Sequence, residues 1–247
     1  TQAIGDAFRM VRDGYADAAI AGGMDSMVHP FGMISFMLLG ALSTKNVEEV
    51  RACKPFHKDR DGFLIGEGAA MFVLELESRA KQRGAKIYGR VLGYGSSVDG
   101  WNVTAPRPDG SGAAAAMRHA LRDARLVPRD VGYVNAHGTG TGLNDPAESK
   151  AVREVFGEGL VPISSVKPVF GHTIAAAGAM EAAACLAAMA GDLLPPTPNL
   201  TLDAVDPECR GLDHVLGRAR KGCPAILMTN NYGFGGQNAS LLLERVN

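Results

Sequence analysis

Two of the six histidines stand where chemistry is expected. His137 follows the apolar run VGYVNA and opens the turn HGTGT. His172 follows VPISSVK and opens a stretch rich in Ala and Gly. Each therefore ends a strand, and in open α/β sheets the carboxyl edge of the strands is where ligands bind. Two such imidazoles beside glycines can converge on one small ligand, as proton carriers or as donors to an oxyanion. His29, His57, His119 and His214 sit among Pro, Lys, Arg and Asp in surface contexts and read as structural. Lys167, five residues before His172, could keep a carboxylate ionised or orient a histidine; taken alone it reads as a solvated lysine.

Three acids stand out. Asp145-Pro146 opens a helix, so Asp145 reads as its N-cap, and Glu148 completes a capping box. Glu181 lies within an apolar helix and must be paired, hydrogen-bonded or bound to a cation. The turn NNYGFGGQN at 230–238 offers the backbone N–H groups of 233–236 to a developing oxyanion. Phe234, between Gly233 and Gly235, is free to swing there. Neither this turn nor GTGTG at 138–142 is a dinucleotide fingerprint, and no P-loop, HExxH or GxSxG occurs. Cys53, Cys185, Cys209 and Cys223 show no CxxC spacing, which argues against a zinc ribbon, and all four read as structural in a reducing, cytoplasmic compartment.

The elements that must position these residues alternate. Strands are expected at 17–24, 68–76, 86–96, 131–136 and 161–165, and helices at 3–13, 77–83, 112–125, 146–155 and 178–190. Segments 225–229 and 239–245 form the arms of a closing hairpin. Such alternation implies an α/β protein with a mixed sheet covered on both faces. A helix followed by a short strand recurs near 3–24 and 176–200, suggesting two similar halves divided near Gly84: 1–84 and 85–247. The first residue is Thr and helical periodicity begins almost at once, so the first half is expected to be only partly present; trimming of an initiator Met is the alternative.

With 25 basic and 26 acidic residues the net charge is −1, which argues against a broad nucleic-acid surface. Hydrophobic residues at 46% and charged residues at 21% exclude a disordered chain. The 31 glycines imply a close-packed, small-residue interior. The apolar segment 174–191 carries Glu181 and reads as a buried helix rather than a membrane span.

Several motifs together resemble type II β-ketoacyl-acyl-carrier-protein synthases of the thiolase fold: IAGGMDS at 20–26, ALSTKN at 41–46, KPFHKDRDGFLIGEGAA at 54–70, YVNAHGTGT at 133–141, DPAESKAV at 145–152, SSVKPVFGHTIAAAGAMEA at 164–182, LPPTPNL at 194–200 and NNYGFGGQNAS at 230–240. The resemblance implies layered mixed sheets and helices, and a decarboxylative Claisen condensation in fatty-acid or polyketide synthesis. It implies that His137 and His172 serve the decarboxylation and the enolate, with Lys167 as the active-site lysine. Thr139, Thr141 and Thr104 match residues lining a phosphopantetheine tunnel, and Phe234 with Gly235 matches the gating turn. Asn135, Glu148, Glu181, Thr229 and Asn230 match a structural cation site, and a hard monovalent or divalent ion with oxygen ligands would suit it. No cofactor is required. An acyl carrier protein is the implied partner, in a homodimer at full length, with no nucleic acid or membrane. The family's nucleophilic Cys lies at the amino end of the helix that here begins at Thr1, and none of the four cysteines matches it, so this chain alone is expected to be inactive. Phe170 and Gln237 depart from the Thr common at each position. The alternative is a non-elongating partner subunit of the chain-length-factor type, or a non-catalytic interaction module.

Overall fold

The computed structural model describes residues 1–45 and 52–246; Asn46 of the ALSTKN motif lies outside them. Helix α1 (Gln2–Arg12) buries Ile4, Ala7 and Val11, which recur at helical spacing, and ends just before Gly14. Strand β1 (Ala18–Ser26) pairs antiparallel with β2 (Glu67–Glu75), from Ala18 opposite Glu75 to Ser26 opposite Glu67. Ile20, Met24, Met71 and Val73 on this small sheet are exposed.

Between β1 and β2 lies a helix that the sequence reading leaves unassigned, α2 (Pro30–Leu38). It is apolar on nearly every side, so no amphipathic stripe marks it. Its signal is the cap: His29 Nδ1 accepts from Gly32 N at 3.2 Å, with Pro30 in the first turn. Helix α3 (Glu77–Gln82) then leads to the main sheet.

That sheet has the order β3-β10-β9-β4-β5-β7. Its members are β3 (Arg90–Val98), β4 (Tyr133–Asn135), β5 (Pro162–Ser164), β7 (Asp213–His214), β9 (Ile226–Gly233) and β10 (Gln237–Glu244). β4 runs parallel to β5 and β9, β5 runs parallel to β7, and β10 is antiparallel to both β3 and β9. The expected hairpin is therefore β9–β10, with arms longer than expected and a single 3-10 turn at Phe234–Gly236. Ladders on both sides of β10 carry polar residues of 230–238 that propensity alone assigns to a turn. A two-stranded sheet of β6 (Leu193–Leu194) and β8 (Arg220–Lys221) lies apart.

Alternate residues of the central strands face two separate cores. Val134, Met228 and Leu242 join α4 (Ser111–Ala124) and α5 (Asn144–Phe156). Tyr133, Leu227, Leu241 and Leu243 join α1, β1, β2 and α7 (Ala177–Gly191). The layers therefore run α4/α5, main sheet, α1/α7, small sheet. α4 rides directly on β3: a Cβ on Gly95 would lie 2.1 Å from Ala116 O. The segment Ile174–Gly191 is apolar and long enough to cross a membrane by composition, but α7 packs in the second core through Ala179, Ala182, Cys185 and Met189.

Candidate active site

His137 lies two residues beyond β4. Its backbone is fixed by Glu148 on α5, whose carboxylate accepts from His137 N and Gly138 N, each at 2.8 Å. Lys167 opens the short helix α6 (Lys167–Phe170) after β5. Its Nζ lies 3.3 Å from His137 Nδ1 and also donates to His137 O. An ammonium has only hydrogens to offer, so Nδ1 accepts and the ring proton sits on Nε2.

His172 is fixed differently. Its N donates to Leu64 O at 2.7 Å and its O accepts from Gly66 N at 3.0 Å, so the segment before β2 clamps it. Its Nδ1 accepts from Ile174 N at 3.1 Å, which again leaves the proton on Nε2. The two rings stand 5.3 Å apart, centroid to centroid, at 84°. Burial first, and the Lys167 charge second, hold both imidazoles well below the ordinary histidine range, so both are neutral near pH 7.

Both histidines line a cavity of about 460 Å³ together with Thr104, Thr139, Thr141 and Phe234. Thr139 Oγ1 and Thr141 Oγ1 are 2.9 Å apart. Phe234 is half-exposed and faces Phe36 at 6.4 Å; Phe36 meets Phe63 at 5.8 Å, and Phe63 meets the His172 ring at 4.7 Å. Gln237 lines the cavity, and Phe170 does not. Gly235 does not line it either, and its N–H donates to Val103 O at 2.6 Å, so that amide is not free for an oxyanion.

Other expectations need correction. Lys167 is fully buried, not solvated, and forms an ion pair with Glu181 at 2.5 Å. Asp145 is not an N-cap: it lies inside the first turn of α5 and accepts from Phe56 N at 2.7 Å and Gly140 N at 3.1 Å, tying the 54–63 loop to the HGTGT turn. Glu148 makes no capping box, because its oxygens are taken by the turn after β4. His214 is buried and bonds Cys209 O at 3.0 Å, because β7 carries it into the sheet's edge. The four cysteines are free and buried, and desolvation pushes the thiols of Cys53 and Cys209 up to about 12.

The five residues matched to a cation site do not form one side-chain ligand set. Thr229 and Asn230 are consecutive in β9 and point to opposite faces. Thr229 Oγ1 accepts from Asn135 Nδ2 at 3.0 Å, whereas Asn230 bonds Met117 of α4 and Ser240 of β10. Glu181 forms its ion pair with Lys167. Asn135 Oδ1 is the one member left as a buried acceptor without a partner. Among the described residues no three His, Cys, Asp or Glu side chains gather to hold a metal.

Residues outside the sequence-based set also shape the site. Thr1, Phe36, Phe63, Asn231 and Tyr232 line the cavity, and Tyr232 meets the His137 ring at 5.5 Å. Period-two reading of β9 would have placed Asn231 beside Thr229.

Comparison with known proteins decides the family. The N-terminal domain of β-ketoacyl synthases matches residues 1–80 and the C-terminal domain matches 88–201. The chain belongs to the β-ketoacyl synthase family. It is 43% identical over 247 residues to 3-oxoacyl-[acyl-carrier-protein] synthase 2 of Synechocystis sp., covering 99% of this chain and 59% of that protein. The Vibrio cholerae protein of the same name is 45% identical, covering 98% and 59%. A β-ketoacyl synthase from Burkholderia phymatum superposes with a TM-score of 0.95 at 43% identity, covering 100% of this chain and 59% of that one. A ketosynthase bound to its type II polyketide acyl-carrier protein gives 0.95 at 35%, covering 100% and 60%. The layered α/β architecture is thus the thiolase-like fold of ketosynthases, and the chain spans about 59% of the length of the curated relatives it matches.

Proposed function

We propose that this chain carries the enolate-forming centre of a β-ketoacyl-acyl-carrier-protein synthase. One observation carries the reading: two neutral imidazoles on one cavity, each with Nδ1 engaged by the protein, so that each keeps an Nε2–H to donate. Two fixed donors suit a thioester oxygen that gains charge in the transition state. The C–C bond of a malonyl thioester breaks, carbon dioxide leaves, and the electron pair moves through carbon to that oxygen. The enolate then attacks the carbonyl carbon of an acyl thioester and expels a thiolate, giving the β-ketoacyl product. Neither step requires a cofactor.

The acyl-bearing thiolate in this reading belongs at the amino end of α1, in sequence preceding Thr1, since the four thiols here are buried. Thr1 lines the cavity, so that position opens onto the histidines. Thr139, Thr141 and Thr104 take the phosphopantetheine arm of the carrier protein, and Phe234 gates the acyl site. The whole protein acts as a homodimer in the cytoplasm, a compartment suited to four free thiols. The intact pair of donors favours an enzyme over a non-elongating partner subunit, which has no use for them.

Labelled acyl- and malonyl-carrier proteins test the reading. The chain extended upstream through a Cys should form ketoacyl product, and the 247-residue chain should not. Product from the unextended chain would overturn the placement of the nucleophile. Failure of the extended chain to release carbon dioxide would overturn the enolate centre.

A further inference from the structure

Arg60 is a buried charge outside the cavity, its side chain only 5% exposed. Nε donates to Thr141 O at 2.9 Å and Nη2 to Gly142 O at 3.5 Å. Nη1 donates to His57 O at 3.0 Å and to Asp206 Oδ2 at 2.5 Å. Asp206, and Asp145 at 3.8 Å from Nε, balance the charge. Two residues on, Gly62 N donates to Gly140 O at 2.9 Å. The carbonyls of Gly140, Thr141 and Gly142 are therefore all taken by the segment 60–62.

The turn held in this way has little stiffness of its own. It reads GTGTG at 138–142, and Gly138 and Gly140 stand at φ 38° and 78°. It lends Thr139 and Thr141 to the cavity, their Oγ1 atoms 2.9 Å apart. We infer that Arg60 is a positioning residue: by holding the carbonyls of Thr141 and Gly142 it fixes the hydroxyl pair against which the pantetheine arm of the substrate binds. The consequence for substrate binding rests on the ketosynthase reading; the hold on the turn does not.

The segment that carries Arg60 is itself anchored. Phe56 is fully buried and stands at φ 65°, a left-handed backbone that a bulky residue rarely adopts. Such a conformation persists only where the surroundings over-determine it. Here Phe56 N donates to Asp145 Oδ2 at 2.7 Å, and Phe56 O accepts from Asp206 N at 2.9 Å. Arg60 therefore reaches the turn from a fixed base. Its planar fork meets four acceptors, which the compact ammonium of a lysine cannot span.

Arg60→Lys keeps the charge beside Asp145 and Asp206 and removes the fork. In the 247-residue chain, hydrogen exchange at the amides of Gly62 and Gly140 should quicken by about 10-fold or more, with Ala151 and Val152 of α5 unchanged. In the extended enzyme KM for malonyl-carrier protein should rise about 5- to 10-fold, as for one lost hydrogen bond, with kcat within about two-fold. Malonyl-pantetheine without the carrier protein should show the same rise. Thr141→Val should raise KM alike, and the double variant should stay within about two-fold of either single one. Losses that multiply, a rise confined to the carrier-protein substrate, or a fall in kcat at unchanged KM overturns the inference. Asp206→Asn decides if the Lys variant does not fold: its one oxygen cannot accept from both Glu208 N and Arg60, so it should raise KM in the same way, and a parent-like KM overturns the inference. An extended parent that never condenses sinks the ketosynthase reading instead, whereas unchanged exchange at Gly62 and Gly140 sinks the hold on the turn.

Discussion

Lys167 Nζ stands 3.3 Å from His137 Nδ1, wholly out of water. A fixed cation at that distance disfavours a second positive charge on the imidazole and fixes the nitrogen that bears the proton. This arrangement is what the proposed function draws on, with neutral rings as the hydrogen-bond donors.

Replacing either donor should strike the malonyl step. In the extended enzyme His137→Ala or His172→Ala should lower decarboxylation by about 10²–10³-fold. Transfer of the acyl group to the upstream Cys should remain largely intact. Carbon dioxide release and acyl-enzyme formation, measured separately, check this. Equal losses in both steps would mean that the rings act by maintaining structure.

The neutral histidines also make stability depend on pH. Both have folded values well below 6.5, with burial the main cause. Below 6.5 the unfolded chain takes up protons that the fold refuses, so their contribution is complete above 6.5 and is lost as pH falls. Glu148 acts in the opposite sense: burial pushes it from 4.5 to about 7, so its contribution is present below 4.5 and is lost as pH rises through about 7. Comparison with the His137→Asn/His172→Asn double variant isolates the histidine part. The difference in unfolding free energy should grow by up to about 1.4 kcal/mol per pH unit for each ring between about pH 5 and 6.5, then level off. Urea melts across that range measure it, and a constant difference would mean that the rings titrate alike in both states.

The Lys167–Glu181 pair should show strong coupling. Lys167→Met alone leaves a buried carboxylate unpaired and should cost about 3–5 kcal/mol. Adding Glu181→Leu should recover most of the loss, because the charge that required compensation is gone. Denaturant midpoints of the two single variants and the double variant close the cycle. Additive losses would show that the two groups do not depend on each other.

The contact of α4 with β3 predicts a backbone effect far from the cavity. Gly95→Ala places a methyl 2.1 Å from Ala116 O and 2.3 Å from Ala120 N. Both are backbone atoms that cannot rotate away, so a loss of about 1–3 kcal/mol is expected by thermal melting, with the His137 and His172 signals unchanged.

Periodicity made the alternating strands and helices legible, and α4, α5 and α7 lie within a few residues of expectation. α2 was not legible, because PFGMISFML has no polar face to contrast with an apolar one. The strand-end histidines could be found because glycines punctuate them. The roles of Lys167, Asp145 and Glu148 could not, since each bonds a partner from a distant segment: Glu181, Phe56 and the His137 turn. Thr229 and Asn230 entered one expected ligand set because they are neighbours in sequence, and the pleat of β9 separates them.

That pleat has an evolutionary corollary. Variation at Thr229 is felt by Asn135 and by Cys185 of α7, and variation at Asn230 by Met117 and Ser240. The two positions share no side-chain partner, so their substitutions should show little epistasis. The compartment beside the Lys167–Glu181 pair and the one beneath α4 can therefore drift independently, although a single strand writes both.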